Sequence, residues 1–201
     1  MWTDGARPND ESIVIHGVSW EQYEAIRDRL DDIPGLRMTY LEGALEIISP
    51  SLRHEQIKKT IARLLELYAV ERNIDLTPGG STTFRKRLAE RGLEPDECYC
   101  LGSEFREPPD FALEVVLGRV GIDKLKVYEG LGVPEVWLWR DERLALFALG
   151  PGGYQPTPRS RCLPDLDVEV LASFVAQGNH VQAVRAFLDL LRAEGGGPTR
   201  R

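Results

Sequence analysis

Glu94-Pro95-Asp96-Glu97-Cys98-Tyr99-Cys100-Leu101 and, after a polar loop, Pro109-Asp110-Phe111-Ala112-Leu113-Glu114-Val115-Val116-Leu117 are the stretches on which the fold turns. Both open on Pro-Asp and run on in short β-type residues. Pro108-Pro109 closes the loop between them, because proline has no N–H to give to a strand ladder. The spacing predicts two short strands, over residues 96–101 and 111–117.

Outward from this pair the helical and strand periods are readable. Ser19-Trp20-Glu21-Gln22 has the form of a capping box and opens an amphipathic helix through Tyr23, Ile26 and Leu30, which stops before Pro34-Gly35. Residues 36–41 and 45–48 flank the turn signal Glu42-Gly43-Ala44 as a hairpin, closed by Ser49-Pro50-Ser51. From 52 to 72, Ile57, Ile61, Leu64, Leu65 and Tyr68 recur at helical spacing and define one buried face. Pro78-Gly79-Gly80 turns into a short strand ending at Phe84, and residues 85–94 read as a charged loop.

Beyond the central pair, residues 120–131 read as a helix ending at Gly132, followed by strands at 136–139 and 144–149 and a turn at 150–153. An apolar segment at 168–175 and an amphipathic helix at 180–191 complete the pattern, with no internal repeat. This order predicts an α/β (α+β) fold, a central mixed β-sheet flanked by helices. Residues 1–18 read as a loose leader, 19–193 as a single domain and 194–201 as a flexible tail.

Composition narrows the function. The chain has 201 residues, 42% hydrophobic and 28% charged, values ordinary for a globular protein. No apolar run approaches the roughly 18 residues of a membrane span. The start lacks a basic region followed by an apolar one, so a cytoplasmic location is expected. The three cysteines read as reduced thiols. Cys98 and Cys100 share a strand face, but with no second pair and three histidines a zinc site has little support. There is neither a Gly-rich phosphate loop after a strand nor a Gly-x-Ser-x-Gly elbow. The net charge of -7 works against attraction to a polyanion, unless metal ions and a local basic strip supply it. Arg85, Lys86, Arg87 and Arg91 are the candidate strip.

The carboxylates carry the chemistry. Asp110 and Glu114 lie on one strand, where four residues span about 13 Å, too far for two ligands of one hard cation. Asp96 heads the neighbouring strand, about 4.8 Å away, and a pair formed by Asp96 and Glu114 can bind a metal. A carboxylate between Leu113 and Val115 needs a reason to be charged. From the residues alone, a metal, an arginine partner or an exposed strand end each provides one.

Taken together, Leu41-Glu42-Gly43, Ile48-Ser49-Pro50-Ser51 with His54, Glu94-Pro95-Asp96, Pro109 to Val115, Lys124-Leu125-Lys126-Val127-Tyr128 and Gly132-Val133-Pro134-Glu135-Val136-Trp137 resemble the bacterial Uma-type restriction endonuclease family of the PD-(D/E)XK nuclease superfamily. The resemblance covers roughly residues 19–175. It implies a restriction-endonuclease-like fold that hydrolyses phosphodiester bonds with Mg²⁺ or Mn²⁺, on nucleic acid and with DNA favoured. By analogy alone, it also implies a homodimer.

Carried over residue by residue, the resemblance puts the metal ligands on Asp96 and Glu114, completed by a backbone carbonyl and water. The superfamily lysine, two positions after the second acid, falls on Val116, which cannot serve. The matching amine is Lys124 on the following helix. Lys126 lies about 200° further around that helix and faces away if Lys124 faces the site. His54 and Lys58 share a helix face, although a helix-start histidine more often bonds locally. Glu42 is assigned to the hairpin turn. A protein that keeps the fold as an inert nucleic-acid-binding or interaction module is the alternative that Val116 and the negative charge leave open.

Overall fold

The computed structural model describes residues 9–30, 33–118, 121–176 and 179–195. In chain order these form β1 (Glu11–His16), α1 (Trp20–Leu30), β2 (Arg37–Leu41), β3 (Ala44–Ser49), α2 (Leu52–Glu71), β4 (Leu76–Pro78), β5 (Phe84–Lys86), β6 (Arg91–Leu93), β7 (Glu97–Leu101) and β8 (Phe111–Val115). Then come α3 (Lys124–Leu131), β9 (Glu135–Arg140), β10 (Arg143–Gly150), β11 (Gly153–Thr157), α4 (Val168–Val175) and α5 (His180–Gly195).

The strands make two sheets. One is antiparallel, in the order β1-β3-β2-β6-β5. The other runs β11-β10-β9-β8-β7-β4 and is mixed, since β8 and β9 are parallel while its remaining pairs are antiparallel. This is the mixed sheet flanked by helices that the sequence predicts. The parallel pair follows from its connection, because strands joined through a helix such as α3 return in the same direction.

Strand β8 is buried along its whole length. Its alternate residues Phe111, Leu113 and Val115 join Trp137 and Trp139 of β9 in a core covered by α2, α4 and α5. Ala112 and Val136 face the other way, toward Val127 and Tyr128 of α3. Helix α3 therefore lies between the two sheets, and Glu114 shares the face of β8 that α3 covers. Trp20 and Tyr23 of α1 pack with Tyr40 and Leu45 on the antiparallel sheet.

The capping box at α1 closes as its residue types require: the Gln22 backbone N–H donates to Ser19 Oγ at 3.2 Å, and the Ser19 N–H donates to Gln22 Oε1 at 2.8 Å. Ser19→Ala is expected to cost about 1 kcal/mol, seen as a fall of a few degrees in Tm. An unchanged Tm would mean that the tertiary contacts of Trp20 and Tyr23 alone hold the helix.

Several segments differ from the sequence reading. Residues 11–16 of the expected leader form β1, paired with β3 from Glu11↔Ser49 to His16↔Ala44. Ile13 and Ile15 stay exposed there, so the ladder and not burial makes the strand. Residues 1–8 of that leader lie outside the described residues. The expected charged loop at 85–94 contains β5 and β6: β6 pairs with β2 and β5 pairs with β6, and this backbone pairing overrides polar side chains. Gly92 lets this strand approach α1, because a Cβ there would sit 2.6 Å from the Tyr23 hydroxyl.

Helix α3 starts at Lys124 and not at 120: Asp123 caps it by accepting from the Leu125 N–H at 3.1 Å, and Val120 lies outside the described residues. It ends at Gly132, whose φ of 81° suits a residue without a side chain. Helix α5 runs on to Gly195, into the expected tail, whose residues 196–201 are outside the described residues. Among the described residues no helix is long and apolar enough to cross a membrane.

Candidate metal and nucleic-acid site

Strands β7 and β8 pair Glu97 with Leu113 and Cys98 with Ala112. Continuing that register by one residue sets Asp96 opposite Glu114, and directly opposed residues of an antiparallel pair share a face, with Cβ atoms about 5 Å apart. Both carboxylates are buried, Asp96 at 2% exposure and Glu114 at 0%. The neighbouring Glu97 points to the opposite side of the sheet, where Lys59 of α2 reaches it at 3.5 Å.

Each acid is held by named donors. Lys124 Nζ lies 2.5 Å from Glu114 Oε2, and the Tyr128 hydroxyl donates to Glu114 Oε1. Lys124 and Tyr128 are one helical turn apart on α3, which aims both at one carboxylate. The Val115 backbone N–H donates to Asp96 Oδ2 at 2.7 Å, and His54 Nε2 donates to Asp96 Oδ1 at 2.9 Å. The other ring nitrogen, Nδ1, donates to Asp10 Oδ2 at 2.8 Å. Two carboxylates accept from one ring, which requires an imidazolium.

The proton affinities follow from these contacts. Burial disfavours the charged ring, but the hydrogen bonds to Asp10 and Asp96 outweigh it and lift His54 to about 9. For Asp96 burial is likewise outweighed, here by the His54 hydrogen bond and the Lys124 charge, so it stays below the usual carboxylate range. Glu114 goes the other way: burial raises it, the Lys124 ammonium only partly offsets that, and the Asp96 charge adds to the rise. Burial works against the Lys124 charge, but Glu114 and Asp96 hold it protonated, above the usual lysine value.

Beside the two buried acids lies a cavity of about 810 Å³, lined by residues of β1, β3, α3 and the segment after β8, with Arg140 among them; Asp10, His54 and Lys124 line it, whereas Asp96 and Glu114 lie behind its wall. Its acids include Asp10, Glu11, Glu46 and Asp123. Glu46 is buried at 2% and accepts from the Ile122 N–H at 3.3 Å. Gly121 makes room for it, since a Cβ there would sit 2.2 Å from Glu46 Oε1.

Of the residues singled out from sequence, Asp96, Glu114 and Lys124 come together. Lys126 is exposed, and its carbonyl accepts from Arg91. Glu114 thus has a cation partner, the Lys124 ammonium, and neither an arginine nor an exposed strand end. Asp110 serves the β7–β8 connection, accepting from the Leu101 N–H at 2.6 Å and pairing with Arg106. Cys98 and Cys100 are free thiols that donate to backbone carbonyls. The basic strip is offset by acids: Arg85 and Arg87 pair with Glu24 and Glu21 of α1, and Arg91 with Glu42.

The sequence reading missed Asp10, Glu46 and Tyr128, and gave His54 a local role. Tyr128 was accessible, four residues from Lys124 on one helix face. Asp10 sits in a polar leader with no periodicity, and only the β1–β3 pairing brings it to His54.

The donor set suits a hard cation. Mg²⁺ is commonly held by one or two carboxylates with water and phosphate oxygens completing the shell. Asp96 and Glu114 retain lone pairs beyond those already engaged. Among the described residues no three His, Cys, Asp or Glu side chains form a ready-made metal cage. Compared with known families, the chain matches over residues 20–180 the Uma2 family, described as "Putative restriction endonuclease". No curated protein matches it.

Proposed function

We propose, from the premise that this chain belongs to the Uma2 family of restriction endonuclease type, that it is a divalent-metal-dependent endonuclease that hydrolyses phosphodiester bonds in DNA. The observation that carries the proposal is that Asp96, one residue before β7, falls opposite Glu114 of β8 when the β7–β8 register is continued, with Lys124 Nζ 2.5 Å from Glu114. The amine missing at Val116, the residue after β8, would thereby be supplied from α3.

Asp96 and Glu114 would hold Mg²⁺ or Mn²⁺, which supplies positive charge to the scissile phosphate and lowers the pKa of a water. Lys124 would donate to a phosphate oxygen and offset the charge that develops there. Tyr128 and Lys124 each hold one oxygen of Glu114 from α3. The acidic cavity also favours metal dependence, because a DNA backbone approaching Asp10, Glu11 and Glu46 needs an intervening cation. Cutting both strands of a duplex calls for two such sites, and a homodimer is the corresponding proposal.

A second reading, an inert binding module on the same fold, is favoured by one observation: all four oxygens of Asp96 and Glu114 already accept internal hydrogen bonds. Calorimetric titration with Mn²⁺ and a plasmid-cleavage assay separate the two. The nuclease binds Mn²⁺ and cuts, while Asp96→Ala and Glu114→Ala stay folded and lose both properties. A wild-type protein that takes up no Mn²⁺ leaves the binding module, and a Glu114→Ala variant that cuts at the wild-type rate removes Glu114 from the metal.

A further inference from the structure

Asp96 is held from outside the acid and lysine motif. His54 lies in the first turn of α2, where Ser51 Oγ accepts from its backbone N–H at 3.2 Å. Asp10, from the segment before β1, accepts from the Ser51 N–H through Oδ1 and from His54 Nδ1 through Oδ2, both at 2.8 Å. The ring is thus pinned at its backbone and at one nitrogen, and its remaining nitrogen is aimed at Asp96 Oδ1. With Val115 N–H on Oδ2, both oxygens of Asp96 have a fixed donor.

We infer that Asp10 and His54 are a positioning pair for Asp96, setting the plane of its carboxylate so that its remaining lone pairs are presented beside Glu114 to a divalent cation. This inference rests on the metal-dependent reading above. Removing His54 leaves Asp96 one fixed oxygen, and the ordering of the carboxylate must then come out of the binding energy of the ion. The Asp10 carboxylate balances the charge of the ring, so the pair orients Asp96 without setting an uncompensated positive charge against the incoming cation. A ring that served only to fasten α2 would need no contact with the cavity, yet both His54 and Asp10 line it.

Mn²⁺ calorimetry on the wild type, His54→Ala, His54→Gln and Asp10→Ala tests this, with circular dichroism to establish that each is folded. His54→Ala is expected to bind Mn²⁺ about 10- to 100-fold more weakly. His54→Gln recovers most of the loss, because its amide can donate to Asp96, and Asp10→Ala falls in between. A folded His54→Ala protein that binds within about twofold of the wild type overturns the positioning role while leaving the nuclease reading in place. If His54→Ala does not fold, unchanged affinity in Asp10→Ala overturns it. A wild type that binds no Mn²⁺ removes both the nuclease reading and the inference resting on it.

Discussion

Replacing Lys124 by methionine is expected to lower DNA cleavage by about 100- to 1,000-fold, the usual cost of removing one donor that meets charge developing in a transition state. Methionine keeps the length and the apolar stem of the side chain, so the packing of α3 through Val127 and Tyr128 is little disturbed. What disappears is the ammonium 2.5 Å from Glu114. The buried Glu114 then loses the charge that draws its pKa down, and burial and Asp96 raise it further. A metal ligand has to be deprotonated, so Mn²⁺ binding by the variant shifts toward higher pH than in the wild type. Lys126→Met is the matched control: Lys126 is exposed and its hydrogen bonds to Asp123 and Arg91 are made by its backbone, so its rate and pH profile stay those of the wild type. A Lys124→Met protein that cuts within about threefold of wild type would take the amine out of the reaction.

The largest loss of stability is expected at Glu135, away from the proposed chemistry. This side chain is 1% exposed, and it accepts from Trp137 Nε1 and Ser160 Oγ, each at 2.6 Å, and from the Arg161 N–H at 2.7 Å. Ser160 in turn accepts from the N–H groups of Cys162 and Leu163. One carboxylate therefore ties the start of β9 to the loop that delivers Leu163 to the main core. Glu135→Ala leaves buried donors without an acceptor, at a cost of about 3–5 kcal/mol. For a domain of this size that is a fall in Tm of about 10 °C. Glu135→Gln, which keeps one acceptor oxygen, should fall in between. A Tm within about 2 °C of wild type for the alanine variant would show that the loop at 160–163 is held by its apolar contacts.

The two experiments bear on different parts of the family pattern. Glu135 lies in the Gly132 to Trp137 block and Lys124 in the block before it, yet one is a fastening of the fold and the other faces the cavity. Residue type does not separate them, since both are charged side chains beside apolar runs. Burial and partners do.

What the sequence determined by itself was local. Helix α2, the capped α1, the β2–β3 hairpin and the Gly132 stop follow from periods of 3.6 and 2 and from cap and turn chemistry, all set by neighbours within a few residues. The choice of Asp96 over Asp110 as partner of Glu114 was also within reach, because strand rise fixes how far apart residues on one strand must be. Tertiary structure alone decided the rest. Strand β1 exists because β3 offers it an edge, β6 because β2 does and β5 because β6 does; none is required by an apolar pattern. Asp10, His54 and Asp96 meet across 44 and 42 positions of sequence. Such contacts depend on register and on where elements dock, and no local spacing encodes them. The same holds for Glu114, which chemistry marked as needing a counter-charge, and which only the docking of α3 supplied with Lys124.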